Sequence, residues 1–164
     1  MTIKPLLAVF AILFAVAACG PDTTTTPVVD TSKQRPNPNS SWADFTDPNK
    51  NGYSVRVFFD LDQYDLKPGA QETIAAWAAW MKAHPAARMR IEGNCDERGT
   101  REYNLALGAR RANAVRNQLV GQGVSSRRLR TISYGKERPI APGSNEEAWQ
   151  QNRNGTAKPS GPGA

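Results

Sequence analysis

Asp96 and Arg111 are the two residues of this chain whose types and spacing could recognise a ligand. Asp96 follows a segment predicted to be a strand, and Arg111 lies on the helix predicted to begin just after it. Such an arrangement holds one carboxylate and one guanidinium close together. Arg111 could clamp a ligand carboxylate while Asp96 takes an ammonium group. The spacing therefore predicts a site for a zwitterion, with Asn104 two helical turns before Arg111 on the same face.

The same pair is equally compatible with a structural role. An ion pair between Asp96 and Arg111 would order the turn between strand and helix without binding anything. Ligands of such sheets usually bind outside the carboxyl ends of the strands, where Asp96 is predicted to lie. Spacing alone leaves both interpretations open.

The elements that would position this pair follow from residue patterns. They are a strand at 54–59, a helix at 68–84 ended by Pro85, a strand at 88–92, a helix at 100–121, a strand at 130–134 and a short helix at 146–152. Connections of this length imply parallel strands. We expect an α+β fold of the order β-α-β-α-β, a small sheet with two helices on one face. Its second helix would bury a stripe of Leu105, Ala109, Ala112 and Leu119, with Val115 at the edge.

The N-terminal residues predict export and lipidation. Lys4 precedes an apolar run at 6–18, which is shorter than the roughly 20 residues of a membrane-spanning helix. The run closes on Val16-Ala17-Ala18-Cys19-Gly20, which resembles a lipobox, the sequence that bacterial lipoprotein signal peptidase reads. We expect residues 1–18 to be removed as a signal peptide and Cys19 to be acylated, which gives stable anchoring. A secreted protein with an accidental cysteine is the alternative.

Composition divides the rest of the chain. Residues 19–51 carry few apolar side chains and are predicted to form a flexible tether, followed by a domain at 52–152. Trp42 and Phe45 are exceptions that either dock on the domain or only precede it. The net charge of +6, carried largely by arginines, favours anionic partners such as acidic lipid headgroups or polymers. Export argues against nucleic acid. With Cys19 acylated, Cys95 stands alone as a small buried thiol.

Catalytic and metal-binding patterns are poorly represented. The sequence has one histidine and lacks a nucleophile elbow, a Walker loop and a dinucleotide fingerprint, so no enzyme and no cofactor are predicted. Asp60, Asp62 and Asp65 do not follow the calcium-loop pattern. A cell-wall hydrolase accessory or enzyme remnant is the alternative function. Such an enzyme would need a catalytic acid, for which Asp96 is the one candidate. Pairing with Arg111 would lower the pKa of Asp96 and make it a poor general acid.

Several motifs within roughly 55–152 resemble the OmpA C-terminal-like family. They are Tyr64-Asp65, Asp96-Glu97-Arg98-Gly99-Thr100, Tyr103-Asn104, Arg110-Arg111-Ala112-Asn113-Ala114-Val115 and Ser133-Tyr134-Gly135-Lys136-Glu137. The resemblance implies a domain that binds peptidoglycan non-covalently by recognising the meso-diaminopimelate of the stem peptide. It also implies TolB, a periplasmic β-propeller protein, as a partner whose surface overlaps the peptidoglycan site, and a role in envelope integrity and cell division.

By this resemblance the peptidoglycan-binding residues are Phe59, Asp60, Asp96, Arg98, Asn104, Leu107 and Arg111. The residue pattern independently selects Asp96, Asn104 and Arg111, and the other four rest on the resemblance. Gly20 stands where an Asp retains lipoproteins in the inner membrane of many Gram-negative bacteria. The expected location is therefore the outer membrane, lipid-anchored and facing the periplasm.

Two departures from the family concern the site and the C-terminus. Asn94-Cys95 replaces the common His-Ala before the acidic residue, which should leave Asp96 in place. After Arg153, relatives continue with another basic residue and an apolar strand, whereas this chain is rich in Pro and Gly. Such residues disfavour a central strand. We expect the last strand to be missing or altered and 153–164 to form an atypical disordered tail, at a cost of several kcal/mol out of about 5–15.

Overall fold

A computed structural model describes residues 42–160 of the chain. Its helices are α1 (Trp42–Thr46), α2 (Pro48–Asn51), α3 (Pro68–Ala83), α4 (Arg101–Gly121) and α5 (Glu146–Asn152). Its strands are β1 (Arg56–Phe58), β2 (Met89–Asn94), β3 (Leu129–Gly135) and β4 (Asn154–Pro159). The predicted signal peptide, the acylated Cys19 and the tether up to residue 41 lie outside the described residues. Within those residues, no helix combines the length and apolar content that crossing a membrane requires.

Local sequence signals set the ends of the main helices. Pro68 occupies the first turn of α3, where its missing N–H would have no helical partner anyway. Thr100 caps α4, because its side-chain oxygen accepts a hydrogen bond from the backbone N–H of Tyr103 at 3.2 Å. Asn145 caps α5 in the same way. The predicted helices at 68–84, 100–121 and 146–152 are thus confirmed.

The four strands form one mixed sheet in the order β1-β4-β2-β3. β2 pairs with β3 in parallel, and β4 pairs antiparallel with both β1 and β2. The three predicted strands therefore run in one direction, and β4 runs against them. The expectation of a missing or altered last strand in a disordered tail is corrected, since β4 lies in the interior of the sheet.

The residues of β4 explain why the Pro and Gly content was misleading. A Cβ atom added at Gly155 would lie 3.2 Å from a methyl group of Val115 and 3.3 Å from one of Val57, so glycine suits this crowded position. Ala157 is fully buried in the core, opposite Ile91. Pro159 is the last residue of the strand, where its missing N–H breaks no interior ladder.

The described residues include helices ahead of the expected domain boundary at 52. Phe45 on α1 is fully buried, with its ring centroid 4.9 Å from that of Trp80. Trp42 lies against the same Trp80 ring at 4.4 Å. Both aromatic residues therefore dock on α3, which answers the question that the sequence left open for them.

The buried face of α4 differs from the predicted stripe. Leu105 is 46% exposed, whereas Leu107, Arg111 and Val115 are buried together with Ala112 and Leu119. A search for apolar residues alone misplaces this face, because it carries an arginine whose charge is satisfied inside the protein. α4 packs on β2, β3 and β4 through this face.

Two glycines allow α4 to approach β2 closely. A Cβ added at Gly93 would lie 1.8 Å from the carbonyl oxygen of Gly108, and one at Gly108 would lie 2.3 Å from the hydroxyl oxygen of Ser133. Gly93 lies just before Asp96 in the chain, and Gly108 lies one turn before Arg111. This contact therefore sets the distance between the strand end and the helix that together form the candidate site.

We expect Gly93→Ala to destabilise the domain by several kcal/mol, because backbone on both sides of the contact would have to move. Gly69→Ala is the matched control, since no atom lies within 4 Å of a Cβ at that helical position. It should leave stability unchanged or raise it by about 0.5–1 kcal/mol. Urea unfolding of the two variants measures the difference, and equal midpoints would contradict the close-approach argument.

Candidate ligand-binding pocket

A cavity of about 310 Å³ opens at the carboxyl end of β2, beside the start of α4. The loop after β1, the β2–α4 turn, α4 and the residue between α5 and β4 all contribute to it. Its lining residues are Leu61, Asp62, Cys95, Asp96, Arg98, Gly99, Tyr103, Asn104, Leu107, Arg111 and Arg153. Five of the seven residues predicted to bind peptidoglycan are among them, and Phe59 and Asp60 are not.

Asp96 presents a carboxylate that is 4% exposed and completely hydrogen-bonded. Its Oδ1 atom accepts from the backbone N–H and Nε of Arg98 at 3.1 and 3.3 Å. Its Oδ2 atom accepts from Arg98 Nη2 at 2.7 Å and from Arg153 Nη1 at 3.2 Å. These bonds use the roughly four lone-pair sites of a carboxylate.

The pKa of Asp96 lies below its ordinary value. Burial by itself would raise this pKa, but the hydrogen bonds from Arg98 and Arg153 stabilise the charged form more strongly. Asp96 is therefore ionised throughout the neutral pH range.

Arg153 is a buried charged residue of the pocket that the sequence analysis did not predict. It is 3% exposed and joins Asp96 to α5, because its Nη2 atom donates to Glu146 at 2.6 Å and to Gln150. Its Nε atom donates to the carbonyl oxygen of Phe59 at 3.2 Å. The resemblance was followed to about residue 152, and Arg153 fell in the segment 153–164 that was predicted to be a disordered tail.

Arg111 is fully buried and bonds to the main chain. It donates from Nε to Gln63 O at 2.8 Å, from Nη1 to Asn94 O at 2.9 Å and from Nη2 to Asp60 O at 2.9 Å. Burial lowers the pKa of Arg111, although arginine remains protonated. Arg111 and Asp96 line one cavity, as expected, but the direct ion pair between them does not form. Arg111 ties the loop after β1 and the end of β2 to α4.

Arg98 occupies a position from which it can reach two acidic partners. Its side chain is 34% exposed, and its guanidinium lies 2.7 Å from Asp96 and 3.9 Å from Glu146 on α5. The guanidinium carbon also lies 4.0 Å from the ring centroid of Trp149. Arg98 is thus the accessible member of the charged cluster, in contrast to Arg111 and Arg153.

The other predicted residues shape the pocket or lie outside it. Asn104 is buried, and its amide donates to Arg98 O at 2.6 Å and to Thr100 O at 3.0 Å, which orders the β2–α4 turn. Phe59 is buried with its ring 5.2 Å from the Arg111 guanidinium carbon. The carboxylate of Asp60 is exposed and pairs with Lys67 at 2.6 Å, so only its carbonyl serves Arg111.

Cys95 is a buried neighbour of this cluster. It is 3% exposed, and its thiol donates to the carbonyl oxygen of Asn104 at 3.3 Å. Burial raises the pKa of Cys95, so the thiol stays protonated. No group of three or more His, Cys, Asp or Glu residues within 42–160 is arranged to hold a metal ion.

Comparisons with known proteins agree with this architecture. A family model described as OmpA family matches residues 58–153. The peptidoglycan-associated lipoprotein of Mesorhizobium japonicum is 51% identical over 109 residues, which cover 66% of this chain and 65% of that protein. The corresponding protein of Haemophilus influenzae is 46% identical over 110 residues, covering 62% and 72%. The aligned part spans only 58% of the Brucella melitensis protein.

Solved structures show the same fold. The peptidoglycan-associated lipoprotein from Burkholderia pseudomallei superposes with a TM-score of 0.65 at 40% identity, covering 71% of this chain and 99% of that one. The C-terminal domain of Helicobacter pylori MotB superposes with a TM-score of 0.60 at 23% identity, over 65% and 84%. Because the OmpA family model matches more than half of the chain, this protein belongs to the OmpA family.

Proposed function

We propose that this protein is a lipid-anchored protein of the outer membrane that faces the periplasm and binds peptidoglycan non-covalently. The relatives described above are named as peptidoglycan-associated lipoproteins, and the residues around Cys19 fit the lipid anchor. The observation that carries the proposal is the ionised carboxylate of Asp96, held between two guanidinium groups at the edge of a cavity.

The ligand that matches this cluster is a zwitterion. The distal centre of meso-diaminopimelate carries one ammonium and one carboxylate group on the same carbon. In this structure, Arg98 fills the hydrogen-bonding positions of Asp96 that an ammonium group would use. Binding therefore replaces the internal ion pair of Arg98 with Asp96 by two ion pairs with the ligand, one between Asp96 and the ammonium group and one between Arg98 and the carboxylate group. Because the ligand centre is a zwitterion, the net charge of the site does not change.

Arg98 is suited to this exchange because it has other partners. When the ammonium group takes Asp96, the Arg98 guanidinium remains stacked on Trp149 and near Glu146, where it can receive the ligand carboxylate. Arg153 stays bound to Asp96 and holds that carboxylate in place. We assign Asp96 and Arg98 as direct contacts and Arg153 as a positioning residue.

Arg111 contributes mainly by building the pocket. Three of its N–H groups donate to main-chain carbonyl oxygens, and its side chain is fully buried, so it holds the walls of the pocket together. Asn104 and Leu107 complete the wall beside it. Phe59 and Asp60 support Arg111 from behind through ring and carbonyl contacts.

The wider role follows the same proposal. A domain that grips the cell wall at one end and is anchored by Cys19 links the outer membrane to peptidoglycan. By resemblance to its family it acts in the Tol–Pal system with TolB as a second partner, and it supports envelope integrity and cell division. The alternative of a cell-wall hydrolase component gains no support from Asp96, because its lowered pKa makes it a poor general acid.

Asp96→Asn should reduce retention on purified diaminopimelate-type peptidoglycan by at least about tenfold, because an amide cannot pair with an ammonium group as a charge. Glu72→Gln is the matched control, since this exposed carboxylate on α3 does not line the pocket. A pull-down with both variants, with folding checked by circular dichroism, measures the effect. Full retention of folded Asp96→Asn would refute the assignment of this carboxylate.

Arg111→Ala should strongly destabilise the domain. The change leaves three carbonyl groups without their buried donor, each at a cost of about 1–3 kcal/mol. Arg110→Ala, the exposed neighbour on the same helix, should change stability by less than about 0.5 kcal/mol. Thermal melts decide between the roles, because a stable Arg111→Ala variant that only loses binding would make Arg111 a pure ligand contact.

The lowered pKa of Asp96 predicts a specific dependence of stability on pH. Because the pKa of Asp96 is lower in the folded than in the unfolded state, its ionised form stabilises the fold at pH values above the unfolded-state pKa of about 3.9. This stabilisation is lost as the pH falls through the folded-state pKa. The free energy of unfolding should therefore decline below about pH 4, and less steeply in Asp96→Asn. Denaturant titrations between about pH 2.5 and 5 provide the measurement. Parallel pH profiles would contradict the paired carboxylate.

A further inference from the structure

The sheet face turned away from the core carries a concentration of positive charge. Side chains of Met89, Ile91 and Ala157 point into the core, so the alternate residues of β2 and β4 lie on the opposite face. We call this set the basic sheet face and define it by its five cationic residues, which are Arg56, Arg88, Arg90, Arg130 and Lys158.

Strand register brings three of these cations into one row. Arg90 of β2 lies directly opposite Lys158 of β4 on one side and Arg130 of β3 on the other. Like charges directly opposite each other on neighbouring strands are destabilising. The row therefore costs stability in the isolated domain, and an anion bound to it would remove that cost.

Most of this charge is not neutralised by the protein. Among the described residues, Arg90 alone of the five forms an ion pair, with Glu92 at 2.7 Å. The Nε atom of Arg56 is buried without a hydrogen-bond partner. The Arg90 side chain is 42% exposed and Arg130 is exposed, while Ile132 beside them is 38% exposed. The face thus presents cations with an apolar side chain among them.

The basic sheet face and the ligand pocket lie toward opposite ends of β2. Asp96 lies six positions beyond Arg90, which at about 3.3 Å per residue places the two roughly 20 Å apart. At the pocket end the same sheet face is covered, since Asn94, Asn154 and Thr156 are buried. An occupant of the row is therefore separate from a ligand in the pocket.

The chain leading to the anchor joins the domain at the end where the basic row lies. Arg128, just before β3, donates to the carbonyl oxygen of His84 at 2.6 Å and so ties the end of α3 to the start of β3. His84 stacks on Trp80 at 4.1 Å, and Trp80 contacts Trp42, the first described residue, at 4.4 Å. Residues 20–41 could span at most roughly 75 Å when extended, which keeps this end within reach of the anchor.

We propose that the basic sheet face docks on anionic phospholipid headgroups of the membrane that holds the chain's own lipid. The proposal rests on the proposed function, because acylation of Cys19 supplies that membrane. Guanidinium and ammonium groups match headgroup phosphates, and Ile132 suits the boundary between headgroups and acyl chains. Tethering raises the effective concentration of the surface, so a weak, salt-sensitive attraction is sufficient. Docking of this row leaves the pocket free, because the pocket lies toward the other end of β2.

The test uses the mature acylated protein reconstituted in vesicles that contain a dansyl-labelled lipid. Energy transfer from tryptophan to dansyl reports docking, and Trp42 and Trp80 lie at the basic end. Transfer should be at least about twofold higher in vesicles of phosphatidylcholine with phosphatidylglycerol than in phosphatidylcholine alone. It should fall to the neutral-vesicle level at about 0.5 M salt, where charges are screened within a few ångströms.

Charge variants locate the contact. The double substitution Arg130→Glu with Lys158→Glu should abolish the excess of energy transfer in vesicles with phosphatidylglycerol. The milder double substitution Arg130→Gln with Lys158→Gln should reduce this excess, and it serves as the test if the reversed charges disturb folding. The control, Arg110→Glu with Arg116→Glu on α4, makes the same change in net charge away from this face and should keep the excess.

Equal energy transfer in the two kinds of vesicle would overturn the proposal, and so would loss of the phosphatidylglycerol-dependent excess in the α4 control. A third contrary outcome is unchanged energy transfer in the Arg130/Lys158 variants together with weaker retention on peptidoglycan. The last would assign the face to the polymer. Binding of a diaminopimelate stem peptide, measured on the same samples, tests the pocket separately. Intact peptide binding with equal transfer in both vesicles would overturn the docking proposal alone.

Discussion

Three charged side chains, Asp96, Arg111 and Arg153, are buried at one end of the sheet. Burying a charge costs several kcal/mol unless it is paired and hydrogen-bonded, and here every charge finds its partners. Arg111 bonds to carbonyl groups after β1 and at the end of β2, while Arg153 joins Asp96 to α5. The pocket therefore forms only when all these elements are in place.

The cluster also explains the arrangement of the sheet. Arg153 reaches Asp96 because β4 begins at the next residue and lies between β1 and β2. The close contact between Gly93 and Gly108 sets α4 against β2, so that Arg111 can reach the strand end. The two ends of the sheet then differ in character, since one buries hydrogen-bonded charges and the other exposes cations, of which Arg90 alone forms an ion pair among the described residues.

Local patterns predicted the elements well and the long-range pairing poorly. Pro68 sets the start of α3, and the capping residue Thr100 sets the start of α4. Asp96 and Arg111, which were predicted to share one site, line one cavity. β4 was missed because its stability comes from pairing with distant strands, and because Gly155 is required by neighbours that no local pattern reveals. Missing β4 concealed Arg153, and an apolar search could not place Arg111 on a buried helix face.

The most direct test of the account is a titration of the isotope-labelled protein with a diaminopimelate stem peptide, followed by NMR. The matched ligand carries lysine in place of diaminopimelate, which keeps the ammonium group and removes the distal carboxylate. Recognition of a zwitterion predicts saturable shifts at the Arg98 and Trp149 side chains with the first peptide and at least about tenfold weaker binding of the second. Equal affinity for the two peptides, or shifts confined to residues outside the pocket, would contradict the recognition of a zwitterion by the Asp96 cluster.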